Sequence, residues 1–148
     1  DYHGMNNRPV LFNADYYKKI ANCKMGLNIN IARTDIDTTP DAETLYLYSS
    51  DRISHYMGSG LLTFTQRNNS LEELYKEDEE LIFFSTKEEI LEKIRYYREN
   101  DQKRCDIAKK GWEKAHRYYN EKLVTQYMIE TTLKLKNNSN YAWPTTKY

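Results

Sequence analysis

Cysteine is scarce: the 148 residues hold only Cys23 and Cys105. Two cysteines so far apart in sequence supply neither a disulfide framework nor a metal-binding spacing, and they read as buried free thiols in a reducing compartment. Histidine is scarce too, and His3, His55 and His116 set no ligand pattern. No apolar run approaches the roughly 18 residues that suggest a membrane span, and there is no secretory signal. An excess of one charge is also lacking. The 22 basic side chains equal the 22 acidic ones, which argues against nucleic-acid binding driven by bulk electrostatics. Tyrosine, by contrast, is abundant, with 14 against four phenylalanines. A tyrosine packs its ring while its hydroxyl stays wet, so many belong at the edge of a core. The length suits a single domain.

Apolar runs and helical stripes alternate along the chain. Residues 9–12 form a short apolar run, the weakest strand candidate. Asn13 is placed to cap a helix over 14–24, with Tyr17, Ile20 and Ala21 on one face and Gly26 ending it. Residues 27–31 alternate as a strand, which should bury Ile29. Residues 32–47 read as a long loop, of a length that is more often functional than connective. A polar start at Ser49 and Ser50 opens a helix to Met57, Gly58 and Gly60 close it, and a strand at 61–65 with Leu62 buried follows. Ser70 heads a capping box before a helix at 71–75, and 81–84 is a short buried strand. A second capping box at 85–88 opens a helix with Ile90, Leu91, Ile94 and Tyr97 on its inner face. Two more helices follow. In 102–119 the buried stripe is Cys105, Ala108, Trp112, Ala115 and Tyr119; in 121–136 it is Val124, Tyr127, Met128, Thr131 and Leu135. Residues 137–148 are a polar tail in which Trp143 is able to dock.

Strands alternating with helices imply an α/β fold. It is Rossmann-like, a parallel sheet of three to four strands flanked by helices, with three consecutive helices at the C-terminal end. Ligands of such sheets bind beyond the strand C-termini. That rim collects Arg33, Ser49, Ser50, Arg52 and Arg67. A helix start carries unpaired N–H groups and partial positive charge, so the Ser49–Arg52 region suits a phosphate, with the arginines as counter-charges. Capping by a serine and solvated arginines would explain the same residues without a ligand. Asp35 and Asp37 have the spacing of a metal-binding acidic pair but lie in the long loop.

The order of these elements resembles a family. The matching parts are residues 23–30, then 50–62 with Arg52, His55, Gly58 and Gly60, then 70–74, 79–84 and 88–94, with Arg104, Ile107, Ala108 and Gly111 completing the pattern. Together they resemble the C-terminal half of GT-B glycosyltransferases of the group 1 type, over about residues 22–127. The resemblance implies that residues 1–136 bind the nucleotide of a sugar-nucleotide donor. It implies that an N-terminal acceptor-binding domain is missing, so that this chain is a fragment inactive by itself. Transfer in such enzymes typically needs no bound metal, and the sugar nucleotide is a substrate rather than a cofactor. The site it implies is Arg33, Ser49, Ser50 and Arg52, with His55 contacting ribose. The parent would be a cytoplasmic hexosyltransferase, peripheral to the membrane at most. Two glutamates of many such enzymes fall here on Leu47 and His55. That departure leaves open an alternative, a non-catalytic α/β binding or interaction module derived from such a half.

Overall fold

A computed structural model of the chain describes residues 9–29, 50–67, 71–135, 141–143 and 145. Among them are strands β1 (Met25–Asn28), β2 (Leu62–Gln66) and β3 (Ile82–Phe84). The helices are α1 (Asn13–Ala21), α2 (Asp51–Gly58), α3 (Leu71–Leu74), α4 (Lys87–Glu99), α5 (Asp101–Tyr118) and α6 (Glu121–Thr132). The strands form one parallel sheet in the order β1-β2-β3, with Asn28 opposite Thr65 and Thr65 opposite Phe83. The α/β architecture, with three consecutive helices at the end, is as the alternating pattern requires.

The centre of the sheet is built from sequence that is apolar or β-branched at every position. From Leu62 to Thr65, β2 is buried throughout, because it has a strand on each side and helices on both faces. One face carries Leu62, Phe64, Ile82 and Phe84 under Ile90 and Tyr97 of α4 and Ile107 and Ala108 of α5. The other carries Leu81 and Phe83 under Ile53 and Met57 of α2 and Leu71 of α3, with Ala115 of α5 packed alongside. Helix α5 therefore serves both faces. It passes from one to the other at Gly111, where an added Cβ would stand 2.4 Å from the Glu80 carbonyl oxygen, just before β3.

Local chemistry sets the element ends. The Ser50 hydroxyl accepts from Arg52 N and caps α2. Gly60, at φ +75°, ends the turn after α2 with Leu61 N bonding Tyr56 O and Gly60 N bonding Met57 O, a Schellman closure that only glycine adopts freely. The capping box of α4 is shifted by one residue from the expected 85–88. Thr86 accepts from Glu89 N, and the Glu89 carboxylate accepts from Ser85 N.

Several expectations need correction. Residues 9–12 pair with no strand among those described. Helix α1 starts at Asn13 itself, with Phe12 at the cap position and no side-chain cap, and ends at Ala21. Gly26 does not end α1; it lies inside β1 against the Tyr56 ring. The first strand begins at Met25 and stops at Asn28, and Ile29 is 42% exposed. The alternation has the expected period but buries the opposite face. In β1 the covered face is Gly26 and Asn28, while Leu27 looks out from a strand with one described neighbour. Trp112 is likewise 44% exposed, because the buried residues of α5 are Arg104, Ile107, Ala108 and Gly111. Helix α6 buries no residue, and Val124, Met128 and Leu135 are exposed. Both cysteines are free and exposed rather than buried. Trp143 does dock, stacked on Tyr119 and edge-on to Tyr127.

The tyrosines beneath α5 predict an alkaline limb. Burial, then the neighbouring Tyr119 and Glu80, pushes Tyr75 far above the ordinary phenol value of 10. Burial and Glu80 push Tyr119 up to about 12. Both folded-state values exceed the unfolded one, so this stabilising contribution is complete below pH 10 and is lost as pH rises towards 12. The melting midpoint of a Tyr75→Phe, Tyr119→Phe double variant should fall less steeply over that window than the wild type's. Equal slopes would refute the assignment.

Candidate functional site

The C-terminal edge of the parallel sheet brings together Asn28 at the end of β1 and Ile29 after it, Gln66 at the end of β2 and Arg67 after it, and the start of α2. Arg52, in the first turn of α2, joins them directly. Its Nη2 donates to the Ile29 carbonyl at 2.9 Å and its Nε donates to the Ser50 hydroxyl at 3.0 Å. Ser50 in turn donates to Asp51 at 3.3 Å and is itself buried. The guanidinium is thereby fixed across the gap between strand and helix, half-buried rather than waving in solvent. Asp51 places a carboxylate at the same helix start, where the dipole favours one.

The other rim cations are already neutralised. Arg67 bonds Glu72 at 2.9 Å and both carboxylate oxygens of Glu77 at 2.8 Å, and its guanidinium lies over the Phe83 ring. The bonded Glu77, and then Glu72, hold Arg67 still more firmly charged than usual. Lys93 reaches the same corner, donating to the Phe83 carbonyl at 2.7 Å and pairing with Glu89 at 2.8 Å and Glu77 at 3.6 Å. Among the described residues at this rim, Arg52 is the cation that no carboxylate holds.

His55 lies one turn along α2 and faces α1. Its Nδ1 is 3.2 Å from the Tyr16 hydroxyl, and the rings of Tyr16 and Tyr17 meet it edge-on. The structure therefore brings Ser50 and Arg52 together at the rim and gives His55 a place in the contact between α1 and α2. Arg33 and Ser49 lie outside the described residues, as do Leu47, Asp35, Asp37 and the loop that carries them. Among the described residues no group of histidine, cysteine and carboxylate side chains could hold a metal ion.

Sequence reasoning missed Asn28. It is fully buried at the end of β1, and its Nδ2 donates to the Thr65 hydroxyl at 3.0 Å. Its Oδ1 is buried with no hydrogen-bond partner among the described residues. The signal is an asparagine interrupting an apolar alternation, in which Leu27 and Ile29 look like the buried pair. Gln66 has a similar unpartnered Oε1. Strand alternation puts it on the face of Leu62 and Phe64, across the sheet from Asn28 and Thr65.

No helix among the described residues is long and apolar enough to cross a membrane. Compared with known proteins, the chain matches no curated protein and no solved structure. The family model of glycosyl transferase-like proteins, however, matches residues 1–130, which span all three described strands, the rim and most of α6. With that much of its length matched, and a parallel α/β layer as its fold, the chain belongs to the glycosyl transferase-like family.

Proposed function

We propose that this chain is the donor-binding half of a GT-B glycosyltransferase and holds the diphosphate of a sugar nucleotide at the rim of Ile29, Ser50 and Arg52. The observation that carries this reading is the Arg52 guanidinium. It is positioned by a backbone carbonyl and a capping serine and held by no carboxylate, while Arg67 and Lys93 beside it are spent on glutamates. A cation fixed beside a helix N-terminus favours charge developing on a departing nucleoside diphosphate. Arg33 and Ser49 belong to the same proposed site. The sugar would go to an acceptor held by a separate N-terminal domain of a cytoplasmic parent protein, because transfer requires two reactants in register. The reading asks for no resident cofactor.

A second reading, a non-catalytic binding module of the same descent, draws on one observation. His55, at a position where related enzymes carry a carboxylate, is engaged by Tyr16 and Tyr17.

Calorimetry with uridine, guanosine and adenosine diphosphates separates the two. One of them should bind the wild type, and Arg52→Ala should weaken it about 10- to 100-fold, the size expected for a lost charge-assisted hydrogen bond. Equal affinity in a variant with an unchanged melting midpoint would remove Arg52 from the site. Absence of binding by all three, also in a protein joined to its acceptor domain, would favour the module.

A further inference from the structure

We infer that Asn28 is a specificity-determining residue of this rim, and that its side-chain carbonyl accepts a hydrogen bond from an alcohol hydroxyl of the bound donor. The inference rests on the donor-binding reading and adds to it which part of the ligand lies over β1.

The argument starts from a group that is costly to keep. Asn28 is fully buried, yet its Oδ1 has no partner among the described residues. Buried polar groups are nearly always paired, so an orphan asks for a reason. A leucine at the end of this strand would fill the space without the penalty. Its nitrogen donates at 3.0 Å to the Thr65 hydroxyl on the neighbouring strand, and in that arrangement the carbonyl oxygen is the end of the amide turned away from Thr65.

Position gives the reason. The row Asn28, Thr65, Phe83 lies on the α2 side of the sheet, since Phe83 packs with Ile53 and Met57 of that helix. The next residue, Ile29, supplies the carbonyl that anchors Arg52. The orphan acceptor therefore belongs to the residue next to the one whose carbonyl anchors the proposed phosphate-binding cation, on the face that α2 covers. The two groups ask for opposite chemistry. An ionised phosphate oxygen suits Arg52 but has no proton to give, so it cannot satisfy a carbonyl. A hydroxyl can. Sugar nucleotides offer both within a few bonds, diphosphate for Arg52 and hydroxyls of ribose or of the transferred sugar for Asn28. A neutral amide would thus take hydroxyl recognition at a rim where His55 is turned to α1. Gln66 has no part in this, because it lies on the opposite face.

The test uses whichever of the uridine, guanosine and adenosine diphosphates binds the wild type best. Its 2′-deoxy and 3′-deoxy analogues and the corresponding nucleoside diphosphate glucose are titrated alongside it. If the hydroxyl belongs to ribose, one deoxy analogue should bind wild type about tenfold more weakly than the parent. If it belongs to the sugar, the glucose conjugate should bind about tenfold more tightly than the bare diphosphate. In Asn28→Leu whichever difference is seen should vanish, because the form that carries the hydroxyl loses its advantage over the form that lacks it. Thr65→Val, which frees the amide to rotate, should reduce the difference without abolishing it. Neither difference in the wild type, or the same difference in Asn28→Leu, overturns the inference while leaving donor binding standing. If no nucleotide binds, both fall together.

Discussion

Gly111→Ala is expected to lower the unfolding free energy by about 3 kcal/mol, the upper end of ordinary overpacking costs. The expectation runs against helix propensity. In an exposed helix interior the same change stabilises by about 1 kcal/mol, because glycine gives up more backbone freedom than alanine. At this position the new methyl would meet the Glu80 carbonyl oxygen at 2.4 Å and the Met57 methyl at 3.4 Å. The first neighbour is backbone at the entry to β3 and has no rotamer in which to retreat. Relief requires α5 to lift off the sheet edge, which loosens Ala108 on one side and Ala115 on the other. Urea denaturation followed by circular dichroism measures the change. A midpoint at or above that of the wild type would show that α5 does not cross the sheet edge here. Gly58→Ala is the control. A Cβ there meets nothing within 4 Å, so it should not destabilise by a clash.

Phe64→Ala should cost about 3–5 kcal/mol, the range for deleting a fully buried aromatic ring. Phe64 is 1% exposed on the central strand, within the cluster of Leu62, Ile82, Ile90 and Ile107. Its ring also meets Tyr97 edge-on, with centroids 6.1 Å apart. The surroundings are strand on two sides and helix above, so the cavity has little room to collapse. Trp112→Ala removes a larger ring but one that is 44% exposed, and should cost much less. Denaturation of the two variants side by side tests the assignment of the α5 face. A larger loss for Trp112 than for Phe64 would reverse it.

What the sequence made legible was what repetition and caps encode. The run of apolar and β-branched residues before Gln66 reads as a central strand. The serine start and glycine stop around α2 fix that helix within two residues of its observed bounds. What it left hidden was phase. A stripe at three- and four-residue steps through Cys105, Ala108 and Trp112 is nearly as regular as the true one through Arg104, Ile107, Ala108 and Gly111. Only the sheet decides which of the two meets it. In β1, Leu27 and Ile29 look like a core pair because they are apolar, but the contact is made by a glycine that admits Tyr56 and an asparagine that bonds Thr65. The site shows the same limit. Ser50 and Arg52 are neighbours in sequence and act together. The partners of His55 and Asn28 are 39 and 37 residues away, and no local pattern announces them. Arg67 was readable as a rim cation but not as a spent one, because Glu72 and Glu77 reach it only once α3 and the turn after it have folded.

The passage of α5 around the sheet edge has a consequence for how this protein comes apart. A layered α/β domain can shed the helices of one face while the other face survives. Here the two half-cores share a single rod, pinned at its start by the buried Arg104, which bonds Asp101 at 2.6 Å and reaches the Lys24 carbonyl at 3.5 Å. Whatever frees one end of that rod uncovers apolar surface on both sides of β2. The two hydrophobic clusters therefore form one cooperative unit, and no intermediate that keeps only half of the layers has a core of its own to stand on.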